Sequence, residues 1–97
     1  MDIRLVYFDG CPNVDEAERQ VRDALGDRSD VSLVRHRVAD SEEAERVGMH
    51  GSPTILVDGT DPFATSETPV SWSCRIYAPT DGSHGVPSLE RLVEVLR

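Results

Sequence analysis

Gly48-Met49-His50-Gly51-Ser52-Pro53-Thr54-Ile55 is the stretch on which the fold of this chain turns. Its second half opens a compact apolar strand over residues 54–57, Thr54-Ile55-Leu56-Val57, which Asp58-Gly59 closes. A proline has no N–H to give to a sheet ladder, so Pro53 belongs at the start of that strand rather than inside it. Backbone chemistry thus sets where the strand begins.

Outward from that strand the chain alternates. Residues 3–8, Ile3-Arg4-Leu5-Val6-Tyr7-Phe8, are β-rich with both faces mostly apolar, which suits a central strand covered on both sides. From residue 13 to 25 the apolar Val14, Ala17, Val21, Ala24 and Leu25 form a helical stripe, with Asp15 and Glu16 in the first turn and Gly26 just beyond the end. Residues 31–38 interleave Val31, Leu33, Val34 and Val38 with Arg and His, the pattern of a strand with one wetter face. Ser41 then supplies an N-cap for a short helix over 42–47. Residues 60–73 are rich in Thr, Ser and Pro without a period and read as a long loop before a short strand at 74–77. A turn at 79–85 follows. Pro87-Ser88 opens a C-terminal helix along which Leu89, Leu92, Val93 and Leu96 form one stripe. The order βαβαββα predicts a four-stranded mixed sheet flanked by helices, its first two strands parallel. No repeat or linker divides the chain, so one domain over 1–97 with an inserted loop at 60–73 is expected.

Set in this order, residues 48–55 resemble the thioredoxin segment Gly-Ile-Arg-Gly-Ile-Pro-Thr-Leu, matching at both glycines, at Pro53 and at Thr54, and in character at Met49 and Ile55. Between the first strand and the first helix stands Cys11-Pro12-Asn13-Val14, similar to the Cys-Pro-x-Cys of dithiol glutaredoxins with Val14 in place of the second cysteine. Asp9-Gly10-Cys11-Pro12-Asn13 is also similar to a stretch in small actinobacterial proteins labelled thioredoxin-like or alkylmercury lyase. The resemblance spans nearly the whole chain apart from the loop at 60–73. It implies a thioredoxin-like fold and a cis Ser52-Pro53 bond facing the reactive thiol. It also implies thiol–disulfide oxidoreductase or glutaredoxin-like thiol transferase activity, in which Cys11 is the nucleophile and Pro12, Asn13, Ser52 and Pro53 hold the substrate.

The residues themselves offer less. A cysteine is nucleophilic as its thiolate, and the unpaired N–H groups and positive dipole end of a helix start favour that form. Cys11 stands at such a start, with the N–H groups of Asn13 and Val14 in reach of the sulfur, while Asp9, Asp15 and Glu16 oppose ionisation. With no thiol at position 14, a mixed disulfide on Cys11 has to be resolved by Cys74 or by a low-molecular-weight thiol. If strand 74–77 forms an antiparallel hairpin with strand 54–57, Cys74 lies opposite about Leu56. At ~3.3 Å per residue that is roughly 10 Å from Pro53, past the ~7 Å Cα limit of a disulfide. The hairpin thus predicts no direct Cys11–Cys74 bond in the resting fold, unless the loop at 60–73 folds back over the site carrying Phe63 and Trp72. Loop aromatics of this kind usually anchor the loop to the body. His50 is a candidate base or a solvent-facing residue, and His36 reads as part of a solvated face. His84 lies in the turn where glutaredoxins bind a carboxylate, a pattern loosely echoed by Gly85 and Ser88.

Charge and composition narrow the partners. Eighteen Asp and Glu against ten Arg give a formal net charge of -8, which repels polyphosphate and argues against nucleic acid. No apolar run approaches the ~20 residues of a membrane span, and the expectation is a cytoplasmic protein with reduced thiols. Three scattered His and two distant Cys do not make a metal site by spacing, and no cofactor is implied. The expected partner is a protein disulfide or a low-molecular-weight thiol, with the oligomeric state open. Two further readings stand beside this one. Paired thiolates are soft ligands for mercury, copper or an iron–sulfur cluster, which would fit the organomercurial label. Alternatively, the fold serves as a redox-silent interaction module that uses its long loop.

Overall fold

Ile3 and Leu5 point to one side of the first strand and Val6 to the other, and all three are almost fully buried. That double-sided apolar pattern makes β1 (Asp2–Tyr7) the centre of the sheet. In the computed structural model, which describes residues 1–78, 80–83 and 85–96, β1 runs parallel to β2 (Ser32–Arg37) on one side and antiparallel to β4 (Thr54–Val57) on the other. Between the flanking strands the chain also forms the short β3 (His50–Ser52). The fold is α/β, with a mixed sheet of order β2-β1-β4 and three helices.

α1 (Val14–Leu25) and α3 (Leu89–Leu96) cover one face of this sheet. Val14, Ala17, Val21 and Ala24 of α1 and Leu92 and Leu96 of α3 form one buried cluster with Ile3, Leu5 and Ile55. α2 (Ser41–Val47) covers the other face, where Ala44 meets Val6, Val38, Met49 and Leu56. The cap of α2 sits one residue earlier than the sequence suggests. Asp40 is the N-cap, its Oδ1 accepting from the Glu43 N–H at 2.8 Å, and Glu43 returns the bond by accepting from Ala39 N–H at 2.9 Å. His36 is less solvated than its alternation with arginines implies. It is half-buried, with Nε2 3.6 Å from Glu43 on α2.

The sheet has three strands where four were expected, and the missing one has moved. After β4 the chain turns through Asp58 and Gly59, both at positive φ, and Thr60 pairs back onto Val57. The chain then leaves the edge of β4 instead of returning along it. It crosses the molecule and arrives at β5 (Ser71–Cys74), which runs parallel to β3 with His50 opposite Ser71 and Ser52 opposite Cys74. The expected antiparallel hairpin of 54–57 with 74–77 is therefore absent. Residues 75 and 77 turn inward as Arg75 and Tyr77, while Ile76 is 84% exposed. The expected turn at 79–85 includes β6 (Gly82–Ser83), which forms a small antiparallel hairpin with β7 (Val86–Pro87) ahead of α3. Ser88 caps α3, its hydroxyl accepting from Arg91 N–H at 3.2 Å. His84 lies outside the described residues. Among those that are described, no helix is long and apolar enough to cross a membrane.

Candidate functional site

The reversal after Thr60 is held by charge buried inside the fold. Asp61 turns inward and its Oδ2 accepts from Arg75 Nη1 at 2.5 Å, with the two side chains 3% and 5% exposed. The Arg75 guanidinium also lies 4.4 Å from the centroid of the Tyr77 ring and donates to Thr54 Oγ1 at 3.5 Å. Thr54 in turn donates to the Gly51 carbonyl at 2.6 Å. The loop is thereby locked across residues 50–54 by a polar network with partners at each step. Aromatic contacts secure its ends. Phe63 packs edge-on against Tyr77 at 5.4 Å, and Trp72 packs edge-on against Phe8 at 6.0 Å.

This strap brings Cys74 to the segment that the sequence singled out. The Ser52-Pro53 peptide bond is cis. Ser52 is the ladder partner of Cys74, and Arg75 N–H donates to the Ser52 carbonyl at 2.9 Å. Cys74 is therefore next to Ser52, not opposite Leu56 as a hairpin would put it. Neighbouring strands lie about 4.8 Å apart, so the expected distance of roughly 10 Å to the proline does not hold. The loop folds back with Phe63 against Tyr77 and Trp72 against Phe8, and Cys74 follows it to the side of Ser52.

The segment that carries Cys11 meets Ser52 through Phe8. Phe8, three residues before Cys11, donates its N–H to Ser52 Oγ at 3.4 Å, and Cys11 N–H donates to Phe8 O at 3.3 Å. Cys11 is 8% exposed and belongs to the cluster formed with Val14, Ala17, Ile55 and Val86. The helix begins later than expected. Its N-cap is Asn13, so Cys11 sits two residues before the cap, and among the described residues no N–H donates to its sulfur. The segments that follow the two cysteines converge on Gly85. A Cβ added there would overlap the Asn13 side chain and lie 3.3 Å from the Arg75 carbonyl.

Tyr77 closes the site from below, donating its hydroxyl to the Pro53 carbonyl at 2.8 Å. Burial pushes its phenol well above the ordinary range; Arg75 pulls against this, and Asp61, Asp81 and Cys11 add to the push. Unfolded chain loses this proton near pH 10, whereas the folded chain keeps it, so stability is expected to fall as pH rises above about 10. Urea unfolding at a series of alkaline pH values would show the decline, and Tyr77→Phe should flatten it. A wild-type curve level through that range contradicts the assignment.

His50 is half-buried, and its Nδ1 lies 3.1 Å from the Pro69 carbonyl. It lines a cleft of about 480 Å³ together with Cys74, Ser71, Phe63, Arg75 and Tyr77. Asn13 lines a separate cleft of about 610 Å³ with Glu16, Gln20, Ser88 and Glu90. Among the described residues no three His, Cys, Asp or Glu side chains are grouped to hold a metal ion. The residues that sequence reasoning missed are Asp61, Arg75 and Tyr77. The sequence places Arg75 and Tyr77 only in a short strand at 74–77 and Asp61 only in the loop at 60–73, and neither pattern singles them out. Comparison with protein-family models, with curated proteins and with solved structures returned no match for this chain.

Proposed function

We propose that this chain is a thioredoxin-like thiol–disulfide exchange protein whose working pair is Cys11 and Cys74. The observation that carries the reading is that both cysteine-bearing segments meet at Ser52: Cys74 is its ladder partner, and Phe8, three residues before Cys11, donates its N–H to its hydroxyl. The resemblance of residues 48–55 and of Cys11-Pro12-Asn13 to thioredoxins and glutaredoxins supports it from the side of sequence. Cys74 takes the place of the thiol that Val14 leaves out. In the reaction a disulfide in a substrate gains two electrons and two protons and leaves as two thiols. The two electrons come from Cys11 and Cys74, which end as one intramolecular disulfide. Two molecules of a low-molecular-weight thiol then reduce that disulfide in two exchange steps, leaving as their own disulfide and restoring the pair. Ser52, the ladder partner of Cys74, meets the substrate together with Pro53, Pro12 and Asn13.

Oxidation of the reduced chain with a mild disulfide, followed by peptide mapping, tests this. The expected product is monomeric, lighter by two hydrogens, and cross-linked between Cys11 and Cys74. Cys11→Ser and Cys74→Ser should each abolish multiple-turnover reduction of a protein disulfide supported by a small thiol. Oxidation that yields only separate adducts on each cysteine would sink the proposal.

A further inference from the structure

The backbone edge beside Ser52 is already taken by the chain itself. β5 occupies it, with Ser71 N–H donating to the Met49 carbonyl and Arg75 N–H to the Ser52 carbonyl, both at 2.9 Å. An extended partner must therefore dock elsewhere. Among the described residues no strand pairs with the other edge of β5, and that strand carries Trp72 and Cys74, both exposed. Cys11 is buried. Of the two thiols, only Cys74 stands where a disulfide inside a bulky polypeptide can reach it.

We propose that the free edge of β5 is the docking site for an extended, disulfide-bearing polypeptide, that Trp72 determines its specificity, and that Cys74 rather than Cys11 makes the first bond. This rests on the thiol–disulfide reading above and assigns its order of steps. Main-chain groups along a free edge are met by adding a strand, and alternate side chains of the added strand then fall into surface pockets. Such a pocket lies next to β5. Trp72 and Phe8, with Val38 and Ala39, line a cleft of about 420 Å³, and Asp9 and Arg37 pair across its rim at 2.7 Å. It extends from Trp72, two residues before Cys74, to Phe8, three before Cys11. An apolar side chain of the partner, close to its disulfide, fits there. The net charge of -8 disfavours a second copy of the same chain on this edge and favours a basic partner.

The steps balance. The Cys74 thiolate attacks one sulfur of the partner disulfide, forming a mixed disulfide and releasing the other sulfur as a thiolate that takes up a proton. The Cys11 thiolate then attacks the Cys74 sulfur, forming the intramolecular disulfide and releasing the partner's second thiol.

The probe is a synthetic peptide with one cysteine held as a mixed disulfide with thionitrobenzoate, a phenylalanine two residues away and arginines on both flanks. Hydroxyethyl disulfide serves as the small comparison substrate. Cys11→Ser is expected to trap the peptide on Cys74 as a stable mixed disulfide, and Cys74→Ser to release thionitrobenzoate at least ~10-fold more slowly than the unaltered chain. Trp72→Ala should lower the preference for peptide over hydroxyethyl disulfide by ~10-fold, and exchanging the arginines for aspartates should weaken the peptide reaction. The single tryptophan also reports binding through its fluorescence. If Cys74→Ser reacts as fast as the unaltered chain, the first bond is at Cys11, and the proposal falls while the exchange reading stands. If no form exchanges with either disulfide, the exchange reading falls too. A preference unchanged in Trp72→Ala removes the docking site.

Discussion

Asp61→Ala is expected to lower the stability of the chain by about 3–5 kcal/mol, the usual cost of leaving one partner of a buried ion pair alone. Asp61 and Arg75 are each almost completely covered, so after the substitution the guanidinium keeps its charge without water to solvate it. Its remaining neighbours are the Tyr77 ring and the hydroxyl of Thr54, neither of which carries an opposite charge. The same substitution removes the Oδ1 acceptor of the Phe63 N–H, at 2.9 Å, and so frees the start of the strap. Replacing both members, Asp61→Ala with Arg75→Met, should recover much of the loss, because no charge is then stranded. Urea unfolding followed by tryptophan emission measures both variants. A single-variant loss below about 1 kcal/mol would mean that the pair does not hold the strap, since surface pairs fall in that range.

That pair also shows why the sheet was only partly legible in the sequence. The strands at 2–7 and 54–57 and the helices announce themselves by local period, because apolar residues two or three to four apart must face a core close by. Their partners in space were legible as well where a short crossover left little choice, as with the parallel β1 and β2. The place of residues 71–77 depends instead on Asp61 meeting Arg75, a contact across the strap between two charged residues that composition assigns to the surface. The apolar Ile76 is mostly exposed and its charged neighbour is buried, which inverts the usual pattern. A hairpin was therefore the natural expectation for 54–57 and 74–77. The site suffered from the same gap. Cys11, Ser52 and Pro53 could be read from motifs, whereas the place of Cys74 beside Ser52 follows only once the chain has doubled back.

Gly51→Ala is expected to cost roughly 2–4 kcal/mol, combining the steric cost of an L-residue at positive φ with that of overpacking. Gly51 has φ +101°, and a Cβ there would lie 2.9 Å from both Cα and Cβ of Arg75 and 3.2 Å from its N. Two of those atoms are backbone, so no rotamer change of a flexible tip relieves the overlap. Relief requires Arg75 to move away from Gly51, and that movement strains its N–H bond to Ser52 and the ladder pairing of Ser52 with Cys74. The damage should therefore be local. Amide exchange at Ser71 and Arg75 is expected to accelerate by well over ~10-fold more than exchange along β1, β2 and β4, because strap and central sheet are separate sets of hydrogen bonds. If Cys11 and Cys74 work as a pair, formation of their disulfide should slow in the same variant, since the strap that holds Cys74 beside Ser52 is the part that loosens. Uniform loss of protection across the sheet would show instead that strap and sheet unfold as one unit, and that the position of Cys74 is no more adjustable than the core itself.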